Sequence, residues 1–326
     1  MKLPTAATAL EMTLIASLAL PLAATAAAAA PAVIEGKDGW LFAGWERADK
    51  VDQKALASNI ALLQEAQHLL AARQINLLVM VVPAKATFYP QRLPANAALT
   101  AEIEGRYAAA LAKLQQAGLS TFDDKAVLQG VDKAPQTAFF RADYHWTAWA
   151  AEASADAAAQ LIARTWPLPP SSSPGSVLGA WTNDRHYGDL AVNFMSPEDR
   201  KRIGRDTYTV RTVPDTGATL LDSAPANVLV VGNSFVQPYL GFPQKLSNVL
   251  GQPVGLTWNP GNISPWKTML EAVEGASFAQ HKPHVIVWQL NEARLETSPD
   301  SADAWDAGSA MPAATWRSRF GAALAK

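Results

Sequence analysis

Short, almost wholly apolar runs alternate along this chain with segments whose apolar residues recur at helical spacing, and that alternation most limits its fold. Lys54–Arg73 places Leu56, Ile60, Leu63 and Leu70 on one stripe. Ile75–Val82 follows at once and is apolar at every position but Asn76. A strand with no polar face must be covered on both sides, which is the condition of a parallel sheet between two helix layers. The pattern repeats. Ala101–Gln116 reads as a helix ending before Gly118, Ser120–Phe122 as the start of a short strand, and Trp149–Thr165 as an alanine-rich helix. Pro167–Gly175 reads as a loop. Trp181–Asp222, rich in charge and aromatics, reads as an irregular excursion over the sheet edge. Strand Val228–Val231, helix Pro243–Leu250, a strand near Val254–Trp258, helix Pro265–Phe278 and strand His284–Leu290 complete the series. The expected fold class is α/β, a three-layer α/β/α domain with a mostly parallel sheet. Gly36–Phe42, turn residues followed by large apolar ones, predicts a hairpin or entry strand.

Lys2 precedes an apolar stretch, Met12–Ala30, that contains the small-x-small pattern Ala24-Thr25-Ala26. This reads as an export signal over residues 1–30, or as an uncleaved anchor, with one domain over 31–326 acting outside the cytoplasm. The chain has no cysteine, so disulfides, thiolate metal sites and a cysteine nucleophile are excluded. A formal charge of −2 supplies no general field for nucleic acid.

Chemistry concentrates in two segments. Val228–Val231 stops at Gly232-Asn233-Ser234, which projects a hydroxyl beyond the carboxyl end of a strand, where open α/β sheets place ligands. Taken alone, such a serine is more often a helix N-cap than a nucleophile. The second segment, Arg141–Thr147, holds Asp143 and His145 with one residue between them. Serine needs a base to take its proton, and the base works best with a carboxylate fixing its tautomer, so the two segments supply all three roles. A direct Asp143–His145 bond requires a turn between them. Among five histidines, His186 competes, in the polar run Asn183–Asp189. A metal site drawn from Asp143, His145, His186 and Asp189 has suitable residue types but no HxxxH or HExxH spacing, and no metal or cofactor is expected. Candidate oxyanion donors are the Ser234 N–H, with Asn233 beside it, and Gly261 or Asn262 after another strand. Arg294, beyond the last strand, is placed either to bind a carboxylate or sugar, or to pair with Glu292 or Glu296.

Gly36–Phe42, Val82–Pro90, Asp143–Thr147, Gly232–Phe235 and Glu292–Arg294 stand in the order found in alginate O-acetyltransferase proteins. From about Gly36 to about Leu295 the chain resembles the AlgJ/AlgX-like family, whose catalytic domain is related to SGNH hydrolases. The resemblance implies Ser234 as nucleophile, His145 as general base and Asp143 as its orienter, with the Asp-x-His pair preceding the serine. It also implies an exported enzyme acetylating an exopolysaccharide, alginate or a similar polymer, with acetyl supplied through a membrane-bound O-acyltransferase partner. With about thirty residues after Leu295, no carbohydrate-binding module is expected, as in the single-domain AlgJ type. Lys85, Tyr89, Arg141 and the Trp181–Leu190 loop are expected to line a glycan groove. A carbohydrate acetylesterase and a non-catalytic polysaccharide-binding component are the rival readings.

Overall fold

Strands covered on both faces dominate the centre of the molecule. The computed structural model describes residues 32–46, 49–212 and 225–326; the candidate export signal lies outside them. In chain order the strands are β1 (Val33–Glu35), β2 (Leu41–Ala43), β3 (Asn76–Val82), β4 (Trp181–His186), β5 (Asp206–Arg211), β6 (Val228–Asn233), β7 (Val254–Asn259) and β8 (Val285–Asn291). The central sheet has the order β3-β8-β6-β7 and every pairing in it is parallel.

Successive side chains of β3 go to opposite layers. Leu78, Met80 and Val82 enter one core with the helices Asp124–Val131, Ala148–Thr165 and Phe242–Leu250. Leu77, Val79 and Val81 enter the other with Gln53–Ala71, Arg106–Gln116, Pro265–Glu274 and Ala313–Leu324. A period of two read against two helix layers is why the strand sequences carry almost no polar residues. The second core centres on three tryptophans. Trp266 meets Trp288 and Trp316 edge-on, each at 5.3 Å between centroids, and the Trp316 indole N–H reaches the Trp266 carbonyl at 2.8 Å. Each side chain so buried contributes about 1.5–3 kcal/mol over leaving it exposed.

Four details depart from the sequence expectation. The Ala101–Gln116 helix divides at Gly105 into Ala101–Glu104 and Arg106–Gln116, the break coming where Arg106 turns inward to Glu292. The Pro265–Phe278 helix divides likewise at Gly275. Ser120 makes a single bridge to Leu78 and no strand follows. Within Trp181–Asp222, β4 and β5 form an antiparallel ribbon with Trp181 opposite Arg211 and His186 opposite Asp206; residues 213–222 lie outside the description. The alternation that marks β5, with Asp206, Tyr208 and Val210 buried, is visible only in that strand, because its partner β4 buries none of its residues.

All four central strands end on one edge. There the chain delivers Lys85 after β3, Ser234 after β6, Gly261 and Asn262 after β7, and Arg294 after β8.

Candidate active site

The Asp143–His145 pair sits on a loop closed by an antiparallel bridge between Phe139 and Trp146. The loop supplies the turn that the one-residue spacing requires. Asp143 Oδ1 accepts the His145 backbone N–H at 3.0 Å and lies 2.8 Å from His145 Nδ1. Asp143 Oδ2 accepts the Tyr208 hydroxyl at 2.8 Å and the Asp189 backbone N–H at 3.2 Å. Burial alone would raise the Asp143 pKa. The adjacent imidazole and the hydrogen bonds from His145 and Tyr208 outweigh it and hold the carboxyl well below the usual carboxylate range. An ionised Asp143 requires Nδ1 to donate, which leaves the Nε2 lone pair directed at Ser234 Oγ, 2.8 Å away.

Ser234 opens a single turn of 3₁₀ helix at the end of β6. Asn233 caps that turn, its side-chain oxygen accepting the Phe235 N–H at 3.0 Å while its amide donates to Asn291 at 2.8 Å. Gln289 from β8 accepts the Asn233 N–H at 3.0 Å. A Cβ on Gly232 would fall 2.7 Å from that same glutamine oxygen and 2.8 Å from a Val236 methyl, so glycine here lets the Gln289 side chain reach the Asn233 N–H. The Trp146 indole binds the Phe235 carbonyl at 2.8 Å and ties the histidine loop to the serine turn. Ser234 is therefore both the first residue of a helical turn and a partner of the imidazole, and the cap itself is Asn233.

The remaining candidates separate. Gly261 lies in the site: a Cβ on it would be 3.6 Å from the Tyr144 hydroxyl, which is itself 3.3 Å from Ser234 Oγ. Asn262 is exposed, and its carbonyl accepts the Asp306 N–H. Arg294 pairs with neither Glu292 nor Glu296, since both bind Arg106. Its guanidinium stacks over Trp305 at 5.0 Å and finds no acid partner among the described residues. Burial lowers its pKa, and Glu46 and Tyr144 are the groups its charge faces.

Lys85 and Tyr89 do not line a groove, which corrects the sequence expectation. Lys85 has no exposed surface; its ammonium donates to the carbonyls of Leu41, Arg141 and Asp143 at 2.6, 2.8 and 2.7 Å. Burial pulls its pKa down to about 7, yet three carbonyl acceptors and the Trp40 and Phe42 rings at 5.0 and 5.2 Å suit the charged form. Tyr89 is 4 % exposed and bonds Asp132 and the Ala138 N–H inside the core. Arg141 is a strut, bound to the Gly39 and Ile203 carbonyls and to Asp206 at 2.9 Å. It also borders a depression of about 480 Å³ with Asn183, Asp206 and Thr209, which includes neither His145 nor Ser234.

His186 stacks on Tyr208 at 3.7 Å, outside the site. Asp143, His145 and Asp189 do converge, with ligand-type atoms within 4.8 Å of one another. Both Asp143 oxygens are already taken by N–H and O–H donors, a hydrogen-bond relay more than a metal cradle. Tyr208, Tyr144, Gln289 and Asn291 shape the site and were not foreseen as doing so; Asp189, weighed only as a metal ligand, instead holds Asp143 through its backbone N–H. Tyr144 carried a local signal, lying between Asp143 and His145, and Asp189 another, in the polar run Asn183–Asp189.

Comparison with known proteins follows the same lines. Residues 33–292 match the family model described as "SGNH hydrolase-like domain, acetyltransferase AlgX". The chain is 29 % identical to "Probable alginate O-acetylase AlgJ" of Pseudomonas fluorescens over 301 residues, covering 84 % of this chain and 71 % of that one. Against the AlgJ of Pseudomonas aeruginosa the identity is 27 % over 286 residues, with 83 % and 72 % covered. The solved O-acetyltransferase domain of Pseudomonas putida AlgJ superposes with a TM-score of 0.74 at 25 % identity, covering 90 % of this chain and 99 % of that one. Pseudomonas aeruginosa AlgX shares the fold, with a TM-score of 0.60 at 18 % identity over 83 % of this chain and 68 % of its own.

Proposed function

This chain belongs to the family of SGNH hydrolase-like AlgX acetyltransferase domains, and from that premise we propose that it is an O-acetyltransferase of an exopolysaccharide, alginate or a similar polymer. The observation that carries the reading is the continuous relay Asp143–His145–Ser234, with both side-chain links at 2.8 Å.

In the first half-reaction His145 Nε2 takes the Ser234 proton as Oγ attacks the acetyl carbonyl of the donor. The tetrahedral oxyanion is met by the N–H of Ser234 and that of Gly261, and the departing donor oxygen receives the proton from His145. In the second, a sugar hydroxyl gives its proton to His145 and attacks the acetyl-serine. Collapse then returns the proton to Ser234 and leaves the acetyl ester on the glycan. Asp143 keeps the imidazole in one tautomer through both halves. Arg294, which has no acid partner among the described residues, is the group we assign to a carboxylate of the acceptor. Action in the periplasm and delivery of acetyl through a membrane-bound O-acyltransferase partner complete the proposal; no described helix is long and apolar enough to cross a membrane.

The test is incubation of the chain with an acetyl ester and candidate oligosaccharides, with mass measurement of protein and glycan. Transfer predicts an acetylated glycan and an acetyl-protein intermediate that Ser234→Ala abolishes without loss of fold. Free acetate alone would instead make the chain an acetylesterase, and full activity in Ser234→Ala would overturn the site.

A further inference from the structure

Tyr144 stands between the candidate nucleophile and an uncovered aromatic surface. Its hydroxyl is 3.3 Å from Ser234 Oγ. On the other side its ring meets Trp45 edge-on at 5.9 Å, and Trp45 meets Phe194 at 5.4 Å. The three rings come from separate segments: the turn after β2, the Asp143 loop and the Asp189–Phe194 helix. Tyr144 is mostly buried, but Trp45 is 38 % exposed and Phe194 45 % exposed, and Val192, two positions earlier in the same helix, is 42 % exposed. Large side chains held together and left in water mark a surface with an occupant.

The size of the surface selects that occupant. A stable protein partner covers about 800 Å² on each side, far more than two rings and a valine provide. One sugar ring needs only such a patch: its axial C–H groups carry partial positive charge, and an aromatic face carries the complementary negative density. Position selects it again, because the rings run on without a break from the residue touching Ser234. The half-exposed carboxylate of Asp189 lies at the same place, 3.6 Å from His145 Nδ1, and supplies a polar rim for hydroxyls.

We infer that Trp45 and Phe194 form an acceptor subsite that holds one pyranose ring of the polysaccharide and presents a hydroxyl of the adjoining sugar to Ser234. The inference rests on the glycan-acceptor reading given above and adds to it where the acceptor lies.

The experiment measures binding apart from chemistry. Calorimetric titration of the Ser234→Ala protein with a mannuronate hexasaccharide and with cellohexaose is expected to show binding of one of them. Adding Trp45→Ala and Phe194→Ala should weaken it by about tenfold or more, whereas Trp45→Phe with Phe194→Tyr, which keep the rings, should restore it. On the Ser234 background the alanine pair should raise KM for the oligosaccharide by a larger factor than it lowers turnover of nitrophenyl acetate. Equal affinity with and without the two rings overturns the subsite, as does failure of both oligosaccharides to bind the Ser234→Ala protein. Normal transfer in vitro combined with loss of a complex in cells overturns it too, and assigns the surface to a protein partner. A chain that binds the oligosaccharide through these rings but only hydrolyses acetyl esters refutes the transferase reading and leaves the subsite standing.

Discussion

Asp143 has four hydrogen-bond donors around its two oxygens, and their arrangement dictates what its amide would do. In Asp143→Asn an NH2 group turned toward Nδ1 donates to it and fixes the proton on Nε2, the tautomer that cannot accept from Ser234; turned the other way it meets the Asp189 N–H donor to donor, and in either case the negative charge that stabilises the imidazolium is gone. Turnover of an acetyl ester by Asp143→Asn should fall by roughly three to four orders of magnitude with KM little changed, which steady-state kinetics would show. Residue types and their order made Asp143, His145 and Ser234 legible in the sequence. Tyr208 was hidden for a plain reason: it reaches Asp143 from 65 positions away, and no local pattern marks a residue whose role is set by a distant partner. Lys85 shows the opposite error. Lysine in a family-like segment invites a ligand role, but three carbonyl oxygens had already claimed its ammonium.

Two elements hold the histidine loop in place, one from each side. The β4–β5 ribbon presses Tyr208 against Asp143 and bonds the Ala142 N–H through Asp206 at 2.6 Å. From the other side Lys85 fastens β2 to the loop through the Leu41, Arg141 and Asp143 carbonyls. Lys85→Met fits the volume but leaves three buried acceptors without donors, and should cost roughly 3 kcal/mol or more. A lowered urea midpoint, with activity lost in step with the fold, is the expected result. The central strands were readable because both of their faces are apolar. The ribbon was not, because β4 buries none of its residues, only its ends Trp181 and His186 being half-buried, and such a strand has no hydrophobic period to detect.

For the molecule as a whole, buried acids set a pH dependence of stability, and Asp124 and Glu46 are both pushed up to about 7 by burial. Asp124 is fully buried; burial raises its pKa from 3.8 to about 7, and the Ser154 hydroxyl at 2.6 Å offsets this only in part. Its second oxygen has no partner. Between those two values the folded chain keeps a proton that the unfolded chain releases, so stability declines as pH rises from about 4 to about 7 and the full penalty applies above that. Asp124→Asn should remove its share of this slope, leaving that of Glu46, and stabilise the protein at pH 8 by up to about 4 kcal/mol, as urea titrations at pH 5 and pH 8 would measure. The Ala313–Leu324 helix, absent from the sequence reading, belongs to the same scale. It closes the second core with Trp316, Phe320, Ala323 and Leu324, while the arginines at 317 and 319 on its outer face pair with Glu65 and Glu274 on the surface.

The strand order has a consequence in time. β6 carries Ser234 but lies between β7 and β8, both of which follow it in the chain. Ser234 has no fixed position until β8 has inserted between β3 and β6, and that step closes a loop of some two hundred residues from β3. Helices form from near neighbours and such pairings from distant ones, so the two ripen at different rates. After dilution from denaturant, ellipticity should recover first and esterase activity later, with Trp288 fluorescence, read in a chain that keeps only this tryptophan of β8, tracking the activity.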